Sequence, residues 1–243
     1  MSCELPQKPL VVAIDGEIGA GKTTLLELLN AELSKRGYRV AIVREPVDKW
    51  EQVGILKEYY MAKSDTDKRN LSYIFQTYTY VTRICESRKV VRDNPDATII
   101  LLERSVFTDR YVFVERLRNV LGANYMKMYE EWYDQLSPLI PICPSKFIYL
   151  KPSLDRCMER VARRARTGEL CGVSEKYQRD LREVHEAFLQ GLHADVFPDM
   201  PKRPFDMSDV TVIDGDLADN DFSKPGADAG NVVNVVVKIL ADN

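Results

Sequence analysis

The run Gly16-Glu17-Ile18-Gly19-Ala20-Gly21-Lys22-Thr23 has the spacing G-x-x-x-x-G-K-[ST], and that spacing belongs to phosphate chemistry. Glycines at 16, 19 and 21 let backbone N–H groups wrap an anion, and a helix beginning here adds its positive end. Lys22 reaches the outer phosphates, Thr23 offers a hydroxyl to magnesium, and Thr24 completes the nucleotide-contacting set. The motif stands directly after the apolar run LVVAID and directly before LLELLNAELSKRG, the strand-then-helix context that it requires. Two carboxylates lie in comparable positions. Glu45 opens Glu45-Pro46-Val47-Asp48-Lys49-Trp50 and Glu103 opens Glu103-Arg104-Ser105, each just beyond an apolar run. Open parallel sheets bind ligands beyond the carboxyl ends of their strands, and an acidic strand tip is where a phosphate-loop protein holds its magnesium-associated carboxylate.

Five short runs supply the strands that must position these groups: Leu10 to Ile14, Arg39 to Val43, Thr98 to Leu102, Lys146 to Leu150 and Val210 to Ile213. Between the first two, leucines at 25, 26, 28, 29 and 33 with Gly37 as a stop predict an amphipathic helix. Strands alternating with helices predict an α/β fold: a P-loop NTPase-type five-stranded parallel sheet with right-handed crossovers and helices on both faces. The tract from Asp214 to Gly230 reads as a loop and Val232 to Leu240 as a closing helix. A length of 243 residues fits one domain spanning 1–243.

Composition narrows the partners. With 34 Lys+Arg against 37 Asp+Glu the net charge is -3, which provides no overall field for nucleic acid. Five cysteines without a close CxxC pair suggest reduced thiols and no zinc site. No apolar run approaches the roughly 18 residues of a membrane span, and no targeting segment is seen, so a cytoplasmic location is expected. The two histidines, His185 and His193, fall in one charged, helix-like stretch and read as helix surface.

Taken in order, GEIGAGKTT, EPVDKW, FQTYTYVTR, ERSVFTDRY and ERVARRARTGE resemble the deoxynucleoside kinase family, over Val11 to about Asp216. The resemblance implies a thymidylate-kinase-like P-loop fold, a homodimer, and magnesium-assisted transfer of the γ-phosphoryl of ATP to the 5'-hydroxyl of a deoxynucleoside. It implies that Glu45 is the catalytic base, Arg104 its partner, Lys22 a catalytic cation, and Glu103 with Thr23 the magnesium-associated pair. Trp50, Gln76, Thr79, Arg83, Asp109 and Phe113 would form the nucleoside pocket, Gln76 presenting carbonyl and amide to the base. In an arginine-rich lid over about 156–173, Arg164 and Arg166 would close over the phosphates and Arg160 would lie against adenine, while Glu169 with Tyr60 would meet the sugar 3'-hydroxyl. For Arg156 and Arg163 a solvated basic face paired with Asp155 and Glu159 suffices.

Some positions depart from the family pattern. Gly168 stands where relatives often carry a second acidic residue, and one extra residue precedes Val173. The Trp50 to Gln76 spacing also differs, which leaves Tyr59 as the alternative to Tyr60. Arg83 with Asp109 implies deoxycytidine or purine deoxynucleosides in preference to thymidine. A thymidylate-type monophosphate kinase is the nearest alternative, although Val47 and Trp50 stand where that group has glycines; a non-catalytic nucleotide-binding protein is the other, although it needs neither Glu45 nor Arg104.

Overall fold

The computed structural model describes residues 8–164, 166, 169–216, 222 and 230–241. Five strands, β1 (Leu10–Asp15), β2 (Val40–Val43), β3 (Ile99–Glu103), β4 (Lys146–Lys151) and β5 (Val210–Asp214), form one sheet in the order β2-β3-β1-β4-β5, with every pair parallel. The first half of the chain supplies helices α1 (Lys22–Lys35), α2 (Val47–Val53), α3 (Ile55–Met61) and α4 (Asp65–Asp93). After β3 come the single turn α5 (Val106–Thr108), a π-helical segment Asp109–Val114, and α6 (Arg118–Leu136). Helices α7 (Leu154–Arg164), α8 (Glu169–Gly172), α9 (Glu175–Gln190) and α10 (Gly230–Ala241) complete the set.

The alternation of a strand divides the core in two. Leu10, Val12 and Ile14 of β1 pack on the α1 leucines and on Val232, Val233 and Val236 of α10. Val11 and Ala13 point the other way, into a cluster with Leu181, Val184 and Phe188 of α9. Leu25, Leu26, Leu29 and Leu33 are fully buried, each contributing about 1.5–3 kcal/mol. The β-branched tail is helical, as expected, because its valines match the face that covers β1 rather than a free strand edge.

Four strands run one residue further than their apolar runs, taking in Asp15, Glu103, Lys151 and Asp214. Parallel pairing needs only backbone groups, and the register Ile14↔Glu103 carries the ladder to the polar tip. β2 begins one residue late, at Val40. One expectation fails outright: His185 is completely buried on the inward side of α9, stacked on Tyr149 at 5.8 Å. The charged residues beside it in sequence lie around the helix on other faces. The expected loop, Asp214 to Gly230, lies mostly outside the described residues, as does Gly168; of it, Asp214 closes β5 and Gly230 opens α10. Among the described residues, no helix is long and apolar enough to cross a membrane.

Candidate active site

A cavity of about 570 Å³ opens over the carboxyl ends of the strands. The β1 tip turns into the phosphate loop, which needs glycine where a side chain would strike the neighbouring helix. Gly19 has φ +84, and a Cβ there would run into the Cys157 carbonyl of α7. The loop's carbonyl oxygens are occupied: Gly16 O and Glu17 O accept from Lys22 Nζ (3.1 and 2.9 Å), Ile18 O from Gln178, and Ala20 O from Arg160 (2.9 Å). Burial brings the Lys22 ammonium down to about 8, with Arg104 adding repulsion and Glu45 and Glu103 opposing it.

The β2 and β3 tips, adjacent in the sheet, bring the two carboxylates of the sequence reading to one place. Glu45 Oε2 accepts from Arg104 (2.5 Å) and Glu45 Oε1 from Arg83 (3.0 Å). Burial raises the Glu45 carboxyl, but Arg104, then Arg83 and Lys22, outweigh it and hold the pKa near about 2. Arg104 adopts φ +60, a strained conformation for a residue with a side chain. It is held there by its N–H to Ile14 O (3.0 Å) and its guanidinium to Gly16 O (2.9 Å).

Helix α4 presents Gln76, Thr79 and Arg83 on one face, all buried, as spacings of three and four residues require. Arg83 donates to both oxygens of Asp109 (2.7 and 3.0 Å) and to Glu103 O (2.9 Å). A surface salt bridge would be a poor description: the two side chains are 3% and 2% exposed. Burial pushes the Asp109 carboxyl above its ordinary value although Arg83 pulls it down, while the guanidinium keeps its proton. The π-helical segment sets Asp109 and Phe113 on the same side of the cavity, and Phe113 lies 5.0 Å under Arg104. Trp50 both lines the cavity and packs edge-on to Phe75 (5.6 Å), its indole N–H donating to Thr82 (3.0 Å).

At the far end, Arg164 makes a bidentate pair with Glu169 (2.8 Å for both bonds), and Arg166 stands 3.9 Å from the same carboxylate. Tyr60 lines the cavity, whereas Tyr59 is turned away to accept from Arg116 (3.0 Å). Gly172 explains how Tyr60 fits, since a Cβ there would overlap its ring. Of the sequence-predicted site residues, Gly16 alone does not line the cavity; its carbonyl anchors Lys22 and Arg104 instead.

Three findings lie beyond the sequence reading. Arg163 lines the cavity, and Arg156 pairs with Asp216 (3.4 Å) rather than with Asp155 or Glu159. Leu56, Phe75 and Tyr177 add to the walls, as do Ile18, Arg44, Val47 and Asp48; Phe75, Ile18, Val47 and Asp48 stand inside recognisable motifs, whereas Leu56 and Tyr177 carried no local signal. Asp15 is fully buried at the loop's root, accepting from Thr108 (2.7 Å), and burial pushes it up to about 6.

The donors available to magnesium fit a nucleotide-borne ion. The Thr23 hydroxyl donates to Glu103 Oε1 at 2.5 Å, so two hard oxygens adjoin at the loop. Magnesium keeps several waters and takes phosphates for the rest. Among the described residues no group of three or more His, Cys, Asp or Glu could cage a metal.

Comparison with known proteins agrees with this architecture. The family model for deoxynucleoside kinase matches residues 12–241. The chain is 32% identical to a probable deoxycytidine kinase of Fowlpox virus (strain NVSL) over 190 residues, covering 77% of this chain and 75% of that protein. It is 27% identical to the mitochondrial deoxyguanosine kinase of Xenopus laevis over 246 residues, 93% and 88% of the two chains. It is 33% identical to the thymidine kinase of Ictalurid herpesvirus 1 (strain Auburn) over 182 residues, 74% of each. The chain belongs to the deoxynucleoside kinase family and is a phosphoryl-transferring enzyme of that family.

Proposed function

We propose that the protein uses ATP with Mg2+ to phosphorylate the 5'-hydroxyl of a deoxynucleoside, favouring deoxycytidine or purine deoxynucleosides over thymidine, and that the chain acts as one kinase domain. One juxtaposition supports this above the others: Glu45, clamped by Arg104 and Arg83, faces the same cavity as the phosphate loop. A carboxylate held ionised orients a primary hydroxyl and takes its proton as the oxygen bonds to the γ-phosphorus and the bond to the β-phosphate oxygen breaks, leaving ADP. The loose transition state of phosphoryl transfer asks little basicity of Glu45, so a low pKa is compatible with the role. Lys22, Arg104, Arg164 and Arg166 are the cations that meet the transferring charge, while Arg160 and Thr24 hold the nucleotide. Thr23 and Glu103 would hold the Mg2+ that accompanies the nucleotide, and the ion would supply neutralisation of the phosphates.

Trp50, Tyr60, Gln76, Thr79, Phe113 and Glu169 are the groups that bind base and sugar. Base choice rests on Asp109. Its carboxylate, fixed by two bonds from Arg83, accepts from the exocyclic amine of cytosine or adenine but would face an acceptor oxygen of thymine. A mispaired buried polar group costs about 1–3 kcal/mol. The named relatives act on three different nucleosides, so their names leave the preference open. Arg83→Met with Asp109→Ala raises the thymidine to deoxycytidine ratio; because Arg83 also holds Glu45, absolute turnover falls with every nucleoside.

The exposed apolar side chains Ile74 and Val81 on α4 and Met128 and Trp132 on α6, two helices packed on each other, support a homodimer through this face, checked by sedimentation. Free cysteines at 85, 143 and 157 are compatible with a reducing, cytoplasmic setting. Phosphate transfer from labelled ATP to the four deoxynucleosides and to their monophosphates tests the proposal. Transfer to monophosphates alone would replace it with a monophosphate kinase, and thymidine as best acceptor would overturn the base preference.

A further inference from the structure

The phosphate loop is gripped on a side that never meets the cavity. Helix α9 carries Gln178, Arg182 and His185 at spacings of four and three residues, one helical stripe. None of the three lines the cavity. Gln178 donates its amide to Ile18 O at 2.5 Å. Arg182 Nε donates to Glu17 Oε1 at 2.9 Å, and its second nitrogen donates to the Pro152 carbonyl. Tyr149 of β4 donates its hydroxyl to the same Glu17 oxygen at 2.8 Å. Glu17 is 0% exposed, an expensive place for a carboxylate in a loop that must attract anions. A buried negative charge at the second residue of a phosphate site opposes the ligand unless it is fully compensated, and the Arg182 guanidinium is its compensation.

His185 fills the remaining side. Its Nδ1 donates to Leu181 O (2.8 Å), which leaves Nε2 as an acceptor, and the ring lies between Tyr149 and Phe113. Helix α9 also begins immediately after the lid region, and α7, which runs into the lid, holds Gly19 O and Ala20 O through Arg160 (3.4 and 2.9 Å). Helices α7 and α9 between them therefore hold Ile18 O, Gly19 O and Ala20 O, and α9 holds the buried Glu17 carboxylate as well.

We propose that Gln178 and Arg182 are positioning residues for ATP. Acting through Ile18 O and Glu17, they fix the phosphate loop in its binding conformation, so that the register of α9 sets nucleotide affinity without touching nucleotide. The proposal rests on the phosphate loop binding ATP. Its test therefore measures ATP affinity directly, by titration with a fluorescent ATP analogue, beside steady-state kinetics. Arg182→Met weakens the analogue by about tenfold, the worth of one charge-assisted hydrogen bond, and raises the KM for ATP, while the KM for the nucleoside stays within about twofold. Arg182→Lys restores most of the affinity, and Gln178→Met alone costs about threefold. Glu17→Gln with Arg182→Met is no worse than Arg182→Met alone, because both act through one contact.

A folded Arg182→Met or Gln178→Met that binds the analogue like the parent, or whose nucleoside KM moves as far as that for ATP, would overturn the proposal. Should Arg182→Met not fold, Gln178→Met decides by the same two readouts. A parent enzyme that binds the analogue but phosphorylates no deoxynucleoside would sink the proposed function and leave this inference standing.

Discussion

The two ends of the cavity are both built from arginine and carboxylate, yet they differ in kind. At the strand tips Arg83, Asp109, Glu45 and Arg104 are 3%, 2%, 10% and 5% exposed and share bonds, so no member can move without unpairing another. At the lid Arg164 and Arg166 are 33% and 35% exposed and meet at one partner, Glu169, itself 6% exposed. A network buried on every side is costly to break, whereas arginines that reach solvent exchange partners more cheaply. The end that orients the acceptor and its proton is preorganised, and the end that closes on phosphate can exchange partners when an anion arrives.

The largest expected effect lies at the rigid end. Glu45→Gln keeps the shape of the carboxylate and removes its charge, and kcat falls by about 10² to 10⁴ while nucleoside affinity changes little. Unaltered turnover with badly weakened nucleoside binding would make Glu45 a binding group and not the base. Next comes stability. Asp109→Ala leaves Arg83 as a half-compensated buried cation and costs about 3–5 kcal/mol, read by urea unfolding. Arg164→Met, at the lid, costs less than Asp109→Ala, because Arg166 stands 3.9 Å from the same Glu169 carboxylate and the arginine it removes is a third exposed, and its effect is seen in the KM for ATP. Equal losses of stability at the two ends would abolish the contrast.

Smaller effects follow pH. Burial holds His185 down at about 4 against an ordinary 6.5, so the unfolded chain takes up a proton that the folded chain refuses, and stability falls as pH drops from about 6.5 to about 4. Glu45 adds a second loss at lower pH: its stabilisation is present above 4.5 and disappears as pH falls towards about 2. His185→Leu removes the first limb of the stability profile and leaves the second. In the other direction, burial brings Lys22 to about 8, so ATP affinity declines as pH rises through that value; a flat binding profile between pH 7 and 9 would show that Lys22 keeps its proton.

Much of this site is written locally. A phosphate loop needs glycines, a lysine and a hydroxyl within eight residues, so the motif and the chemistry it serves are readable in one short segment. The same holds for the leucine stripe of α1 and for the face shared by Gln76, Thr79 and Arg83, since the helical repeat alone aligns them. The unbroken apolar run of β1 likewise announces a strand covered on both sides.

Other features arise between segments that are distant in sequence. That Arg83 holds Glu45 as well as Asp109 follows from β2 lying beside β3 in the sheet, which brings residues 45, 83 and 109 together. The burial of His185, the pairing of Glu17 with Arg182 across 165 residues, and the choice of Tyr60 over Tyr59 have the same origin. Residue type states what a side chain can bond to, but a carboxylate or a guanidinium accepts many partners. Which one it meets is set by the packing of sheet and helices, because burial leaves no water to substitute for the partner that packing excludes.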